Sequence, residues 1–228
     1  ERIDGSPSRV ESYCDVFRTG PSPTPDEPML VQVSRWDVMK DMTGVMESFA
    51  RYVDSGRDAQ LVLAGPVVSA VADDPEGGQV LQDAWNEWRE LPHAIRSRVQ
   101  LVCLPMHDLE ENAAIVNALQ RHATIVAQKS LAEGFGLTVA EAMLKGTPVV
   151  ASAVGGIVDQ VIDGETGRLI QDPADLEEFG SAVCEILDDA DLCKRLGDGA
   201  RARALDLHLG DTHLDKWLGV MRSVLASD

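Results

Sequence analysis

The sequence is poor in positive charge for its size. Lys and Arg together number 20 against 38 Asp and Glu, which gives the 228 residues a formal net charge of −18 at pH 7. This balance argues against a nucleic-acid backbone as ligand, because such binding relies on clustered Lys and Arg. It does not exclude a small diphosphate, which needs only a few local cations. Most of the acidic side chains are therefore expected to form a solvated surface.

Long apolar runs and targeting signals are lacking too. No apolar run approaches the roughly 20 residues that a membrane helix needs, and the N-terminus has no basic segment followed by an apolar one, so no membrane partner is expected. The four cysteines form no Cys-x-x-Cys pair, which predicts reduced, buried thiols in a cytoplasmic protein. The chain begins with Glu1 instead of Met, so we expect a processed or truncated piece.

Several common catalytic patterns are missing as well. No His, Cys or Asp cluster has the spacing of metal ligands, and no Ser/His/Asp or Cys/His arrangement stands out. We therefore expect neither a bound metal nor a cofactor. Internal repeats and low-complexity segments are also lacking.

After Pro28, short apolar runs alternate with helical patterns. Most of the runs are apolar throughout, as in parallel strands that helices cover on both faces. The predicted strands are Met29–Val33, Gln60–Ala64, Val99–Leu104, Thr124–Ala127, Val149–Ala151 and Arg168–Ile170. The predicted helices between them are Gly44–Ser55, Gly78–Leu91, Leu109–His122, Val139–Lys145 and Ile157–Ile162. This alternation predicts right-handed βαβ crossovers and a doubly wound, Rossmann-like α/β sheet.

The two ends of the chain have a different character. Residues 1–28 are interpreted as an interdomain arm, with a short helix around Ser8–Phe17 ahead of a proline-rich stretch. Residues 29–228 are expected to form one domain that includes C-terminal helices from Asp175 onward. Apolar residues on one face of the last helix are expected to pack against the domain. They are Leu214, Trp217, Leu218, Met221 and Leu225.

The most informative segment is Glu133–Glu141, in which two carboxylates flank a glycine-rich stretch (E-x7-E). An apolar run precedes it and strongly helix-forming residues follow, so the order is strand, turn, helix. Such a turn directs free backbone N–H groups and the positive end of a helix dipole into one crevice. Donors for phosphate beside acceptors for sugar hydroxyls indicate a nucleotide-sugar site.

A purely local interpretation of the same residues stays open at this point. Thr138 and Glu141 match a capping box, T-x-x-E, which alone would account for Glu141. Gly134 and Gly136 could be ordinary turn glycines. Glu133 favours the functional interpretation, because it has no capping role and would lie at the carboxyl end of a strand, where open α/β sheets bind ligands.

The segment resembles the donor-site signature of retaining glycosyltransferases of family 4, which have two Rossmann-like domains in a GT-B fold. The resemblance continues at Val33–Asp41, similar to the family's first-strand turn, and at 154–157 and 163–169, similar to its later loops. Three strings resemble the trehalose synthase and trehalose phosphorylase branch. They are Ser34–Asp41, Ala72–Gly77 and Ile3-Asp4, the last similar to the interdomain linker.

The resemblance implies roles for charged residues that spacing alone would not assign. By the family pattern, Arg35 and Lys40 hold the diphosphate, Glu133 contacts the hydroxyls of the donor sugar, and Glu141 holds the ribose hydroxyls. Without the resemblance, Arg35 and Lys40 would belong to an ordinary solvated loop beside Asp37.

The resemblance also assigns backbone groups. N–H groups toward the sugar and the distal phosphate are expected from Gly134, Phe135, Gly136 and Leu137. Thr138 is expected to donate its N–H or hydroxyl to phosphate. The nucleobase is expected near 104–106, and Gly155-Gly156 resembles another loop near the donor. The family often has proline and glutamate next, where this chain has Val158-Asp159, so any role of that glutamate is in doubt.

By this resemblance, the chain is the donor-binding half of an enzyme that transfers glucose from a nucleoside diphosphate glucose to a sugar acceptor with retention, with glucose as acceptor to give trehalose. The acceptor site would come from an N-terminal domain of the same polypeptide, to which the last helix crosses back, so this chain alone is expected to be inactive. Two alternatives are a trehalose phosphorylase, which Glu141 disfavours, and a non-catalytic nucleotide-sugar-binding module. The nucleobase and a homodimeric state are left open.

Overall fold

In a computed structural model, residues 6, 10, 11, 13–53, 57–68, 75–208 and 210–226 are described. The strands are β1 (Asp15–Phe17), β2 (Met29–Val33), β3 (Gln60–Pro66), β4 (Val99–Leu104), β5 (Ile125–Gln128), β6 (Val149–Ser152) and β7 (Arg168–Ile170). The helices are α1 (Met42–Tyr52), α2 (Pro75–Glu90), α3 (His93–Arg96), α4 (Leu109–His122), α5 (Leu137–Lys145), α6 (Ile157–Gln160), α7 (Leu176–Asp188), α8 (Ala190–His208) and α9 (Gly210–Leu225), and a short 3-10 helix spans Val38–Lys40.

The strands of the described residues form one sheet in the order β1-β4-β3-β2-β5-β6-β7. Neighbouring strands are parallel except for β1, which pairs antiparallel with β4. The chain builds outward from β2 to β4 and then returns to add β5, β6 and β7 on the other side of β2. This confirms the predicted doubly wound, Rossmann-like fold. The order of the sheet reverses between β2 and β5, and ligands of such folds bind at the carboxyl ends of the strands there.

The sheet has apolar side chains on both faces. Successive residues of a strand point to opposite faces, so Leu30 joins one hydrophobic cluster and Val31 the other. Residues of α1, α2 and α7 cover the first face, and residues of α4, α5 and α6 cover the second. Because both faces are covered, the strands have the continuous apolar runs seen in the sequence.

The predicted helix around Ser8–Phe17 is wrong where the structure describes that segment. Residues 15–17 form β1, which pairs with β4 through Asp15↔Cys103 and Phe17↔Leu101. The edge of β4 offers unpaired backbone N–H and C=O groups, and pairing with an extended segment satisfies them. The strings at Ile3-Asp4 and at 72–74 lie outside the described residues.

Helix α9 corrects a second expectation. The five apolar residues predicted to pack are between 38% and 76% exposed. The periodicity therefore identified a continuous apolar face correctly, but the described part of this chain does not cover that face. Within the described residues, no helix is long and apolar enough to cross a membrane.

The four thiols are free, as expected, but only Cys103 is buried and the other three are half-buried. Burial raises the pKa of the Cys103 thiol to about 11. In the described part of the chain, no group of three or more His, Cys, Asp or Glu could hold a metal ion.

Candidate functional site

The loop between β2 and α1 is held by its own side chains. Trp36 is buried, and its indole Nε1 donates to the backbone oxygen of Pro66 at 2.9 Å. The carboxylate of Asp37 accepts from the Met39 N–H at 2.8 Å and begins the 3-10 helix. Asp41, in the left-handed region at φ +47°, caps α1. Anchored on both sides, the loop presents Lys40 at the carboxyl end of β2.

Lys40 meets Glu133 across the boundary between β2 and β5. Lys40 Nζ lies 2.6 Å from Glu133 Oε2, and the two side chains are only 14% and 13% exposed. The other carboxylate oxygen of Glu133 accepts from the Gly134 N–H at 3.1 Å. Two residues that the family resemblance assigns to the diphosphate and to the donor sugar are therefore in direct contact.

Arg35 lies on the same loop but faces another way. Its side chain is 66% exposed, and its Nη2 donates to Asp37 Oδ2 at 2.8 Å. This contact matches the solvated-loop interpretation of Arg35. Its assignment to the diphosphate stays a prediction.

Helix α5 begins two residues earlier than a capping box of Thr138 and Glu141 would require. Its N-cap is Gly136 at φ +89°, with no side-chain cap, so the capping box of Thr138 and Glu141 is wrong. Thr138 lies inside the first turn, and its hydroxyl donates to Gln128 Oε1 at 2.8 Å. Among the described residues, the N–H groups of Leu137 and Thr138 have no acceptor, as is usual for a first turn. These N–H groups remain available to an anion.

The glycine pair after β6 supports the turn that carries Glu133. The Gly156 N–H donates to the Gly134 oxygen at 2.8 Å. Gly155 has φ +53°, and a Cβ there would lie 1.7 Å from the backbone carbonyl oxygen of Glu133. Gln160 donates from Nε2 to the Phe135 oxygen. The similarity of this loop to the family therefore has a packing reason, since only glycine fits at 155.

Glu141 lies on α5 beside a buried amide. Gln120 is fully buried, its Nε2 donates to Glu141 Oε2 at 3.4 Å, and its Oε1 accepts from Lys145 Nζ at 2.6 Å. Burial lowers the pKa of Lys145, an effect that the nearby Glu141 carboxylate opposes. Glu141 lines a cleft of about 550 Å³ together with Phe135 and Leu137. A larger cleft of about 630 Å³ between α1 and α2 is lined by none of the predicted site residues.

The expected nucleobase position lies further along the same edge of the sheet. Leu104 is the last residue of β4 and residues 105–106 follow it, and β3 separates β4 from β2. Leu104 is buried, and the Pro105 oxygen accepts from Asn112 Nδ2 at 2.9 Å. The assignment to the base stays a prediction.

Sequence reasoning missed the polar residues that end β5. Gln128 and Lys129 are almost completely buried. Lys129 Nζ donates to Asp41 Oδ2 and, at 2.7 Å, to the Pro173 oxygen. Its backbone N–H donates to Gln32 Oε1 at 3.1 Å. The available signal was a run of polar residues directly after an apolar strand, at the edge where ligands bind.

Comparison with known proteins identifies the family of the chain. The sequence profile described as "Glycosyl transferases group 1" matches residues 17–203. The trehalose synthase of Pyrococcus horikoshii is 34% identical over 200 residues, which cover 88% of this chain and 45% of that protein. The trehalose phosphorylase of Grifola frondosa is 31% identical over 193 residues, covering 80% of this chain and 25% of that protein. The chain thus spans less than half the length of both relatives.

A solved structure gives the same result for the fold. Sucrose-phosphate synthase from Thermosynechococcus elongatus superposes with a TM-score of 0.70 at 27% identity, over 90% of this chain and 47% of that one. Its match, like that of the trehalose synthase, leaves about half of the other protein uncovered. The profile match covers most of this chain, and the chain therefore belongs to the group 1 glycosyl transferases.

Proposed function

We propose that this chain is the donor-binding half of a retaining glycosyltransferase that transfers glucose from a nucleoside diphosphate glucose to a sugar acceptor. With glucose as the acceptor, the product is trehalose. The observation that carries the proposal is the contact of Lys40 with Glu133, three residues before the N-cap of α5, whose first N–H groups have no acceptor among the described residues. A cation, a carboxylate and a helix N-terminus are the groups that a sugar diphosphate needs.

The roles follow from the chemistry of the donor. As the bond between the anomeric carbon and the phosphate oxygen breaks, negative charge grows on the leaving diphosphate. Lys40 and the N-terminus of α5 stabilise that charge, and Arg35 adds a second cation when its guanidinium leaves Asp37. Glu133 accepts hydrogen bonds from the hydroxyls of the donor sugar and orients the ring.

The nucleoside half of the donor is assigned to Glu141. Its carboxylate, oriented by Gln120, accepts hydrogen bonds from the ribose hydroxyls. The hydroxyl of Thr138 is committed to Gln128, so the Thr138 N–H is the group left for phosphate. A nucleoside-binding carboxylate favours a synthase over a phosphorylase, in which inorganic phosphate takes the place of the nucleoside diphosphate.

Residues 1–28 are proposed to be the arm to an N-terminal domain, and 29–228 the donor domain. The exposed apolar face of α9 supports this, because neighbouring exposed apolar side chains on one helix face are typical of an interface. The acceptor site would belong to the other domain, so this chain alone would bind donor without turnover.

In a polypeptide with both domains, the emission of Trp217, 52% exposed here, should shift to shorter wavelength. An unshifted emission would argue against the interface.

Calorimetric titration of this chain with ADP, UDP, GDP and inorganic phosphate tests the proposal. We expect one nucleoside diphosphate to bind in the millimolar range, and phosphate to bind more weakly. Tight binding of phosphate without any nucleoside diphosphate would favour the phosphorylase. A folded sample that binds none of the four would contradict a donor site. If a full-length protein binds the donor without turnover, the result would favour a non-catalytic nucleotide-sugar-binding module.

A further inference from the structure

The side chain of Gln128 is a buried amide that contacts both ends of the turn between β5 and α5. Gln128 is the last residue of β5 and only 1% exposed. Its Nε2 donates to Ser130 Oγ at 2.9 Å and to Glu133 Oε2 at 3.3 Å. Its Oε1 accepts from the Thr138 hydroxyl at 2.8 Å. The Gln128 side chain thus links Glu133, the first carboxylate of the E-x7-E segment, to Thr138 in the first turn of α5.

The orientation of this amide follows from its partners. An ionised carboxylate can only accept hydrogen bonds, so the NH₂ group of Gln128 must face Glu133. The amide oxygen then faces Thr138, whose hydroxyl can donate. Both ends of the amide are satisfied, and turning it over would leave a buried carbonyl against a carboxylate.

We propose that Gln128 is a positioning residue that holds Glu133 for the donor sugar, an inference that rests on the proposed function. Lys40 and Gln128 share the same oxygen of Glu133. A bound diphosphate competes for the charge of Lys40, whereas the neutral, buried Gln128 is not drawn away by it. Gln128 is then the side chain that keeps Glu133 in place while Lys40 serves the phosphate.

The proposal separates the sugar from the rest of the donor. Glu133 is assigned to the sugar hydroxyls only. Losing Gln128 should therefore lower the affinity for a nucleoside diphosphate glucose and leave the affinity for the nucleoside diphosphate unchanged. A role of Gln128 in packing alone would change the stability of the chain and affect both ligands alike. The difference between the two ligands is therefore the informative quantity.

Two substitutions distinguish the contact with Glu133 from the contact with Thr138. Gln128→Met keeps the length of the side chain and removes its hydrogen bonds to Ser130, Glu133 and Thr138. Gln128→Glu keeps an acceptor for the Thr138 hydroxyl but loses the donor to Glu133 and adds a like charge. Gln100→Met is the matched control, because Gln100 is also a buried strand glutamine, at 4% exposed, and its Nε2 has no partner in the described part of the chain.

The test is calorimetry on this chain with UDP, UDP-glucose, ADP and ADP-glucose, with folding checked by circular dichroism. Gln128→Met should weaken binding of the glucose conjugate by roughly three- to tenfold, the range for the loss of an ordinary hydrogen bond, because the contact with Glu133 is long at 3.3 Å. Gln128→Glu should weaken it at least as much. Both variants should bind the parent diphosphate within about twofold of the unmodified chain, as should Gln100→Met for both ligands.

A double-mutant cycle gives a readout that packing would not move. In a Glu133→Gln background, Gln128→Met should cause no further loss of the glucose conjugate. Four outcomes would overturn the proposal. They are equal losses of affinity for the diphosphate and the glucose conjugate, unchanged affinity for the conjugate in Gln128→Glu, additive losses in the cycle, and failure of both variants to fold. If the unmodified chain binds none of the ligands, the proposed function fails, and the role of Gln128 fails with it.

Discussion

Lys40 Nζ and Glu133 Oε2 lie 2.6 Å apart, although 93 positions separate the two residues in the chain. The contact forms because β2 and β5 are neighbours in the sheet and both end at the same edge. Its low exposure places it in an environment where an ion pair is stronger than at a surface. Lys40, proposed to bind phosphate, and Glu133, proposed to bind the sugar, are therefore coupled. A change in one side chain should alter the position or charge interactions of the other.

Removing the positive charge of Lys40 or Arg35 should weaken binding of a nucleoside diphosphate more than binding of the nucleoside. Lys40→Ala and Arg35→Ala should each reduce binding of a nucleoside diphosphate by about 1.5–3 kcal/mol, the range for a lost charge-assisted bond, and reduce nucleoside binding far less. Lys40→Arg should not restore full affinity, because the two cations differ in geometry. Calorimetry with ADP, UDP and the corresponding nucleosides gives the comparison.

Arg51→Ala is the control for Arg35→Ala. Arg51 is 60% exposed and pairs with Glu47 much as Arg35 pairs with Asp37, but it lies within α1. The control should leave both ligands unaffected. If nucleoside and diphosphate lose affinity equally in the site variants, Lys40 and Arg35 only shape the fold.

Glu141→Gln should lower the affinity for nucleotides and preserve stability. The N-cap of α5 is Gly136, so the substitution removes no cap. As a ribose ligand, the carboxylate loses its charge and one acceptor, which should cost roughly 1–3 kcal/mol of binding. Calorimetry measures the affinity, and the thermal midpoint measures the stability. Glu90→Gln, at the end of α2, is the control that should change neither. Unchanged affinity for ADP and UDP in a folded Glu141→Gln protein would remove Glu141 from the site.

Gly155→Ala should disturb the turn that carries Glu133. A Cβ at Gly155 would lie 1.7 Å from the Glu133 oxygen, so the backbone of the turn must move. Gly164→Ala is a matched control, because Gly164 also has a positive φ, at +75°, but the nearest atom to its Cβ would be 4.0 Å away. Both variants carry the strain of alanine at positive φ, about 1 kcal/mol.

The difference between the two alanine variants isolates the clash at Gly155. Urea denaturation should show a larger loss of unfolding free energy in Gly155→Ala, and calorimetry should show weaker nucleotide binding in that variant alone. Equal stability and equal affinity in the two variants would mean that the glycine loop does not hold the turn.

Lys129 and Asp41 should prove strongly coupled in stability. The Lys129 side chain is fully buried, and its ammonium donates to Asp41, which caps α1. Removing one partner of a buried pair leaves an uncompensated charge, so Lys129→Met should cost about 3 kcal/mol of unfolding free energy. Asp41→Asn keeps the left-handed backbone and an acceptor for the Gly44 N–H, yet leaves the charge of Lys129 without a carboxylate partner.

The double variant Lys129→Met/Asp41→Asn should lose clearly less than the sum of the single losses, because neither charge then remains buried alone. Urea denaturation of the four proteins gives the coupling free energy. Additive losses would show that the two side chains stabilise the chain independently.

Local chemistry in the sequence was sufficient for the fold class and most element boundaries. Apolar runs such as Val99–Leu104 and the helix of Leu109–His122 match the structure residue for residue. Hydrophobic period and length are short-range properties, so they can be read without knowing the partner. The same holds for the segment Glu133–Glu141, whose glycines and carboxylates lie within one strand–turn–helix unit.

The tertiary structure decided which residues meet. The sequence predicted that α5 begins at Val139, whereas the left-handed Gly136, packed near Ile157, caps a helix that begins at Leu137. Lys129 lies just after the predicted strand, but its partners Gln32, Asp41 and Pro173 come from distant parts of the chain. The face of α9 was readable from its period, whereas its exposure was not. Contacts of this kind depend on the order of strands in the sheet, which no local pattern encodes.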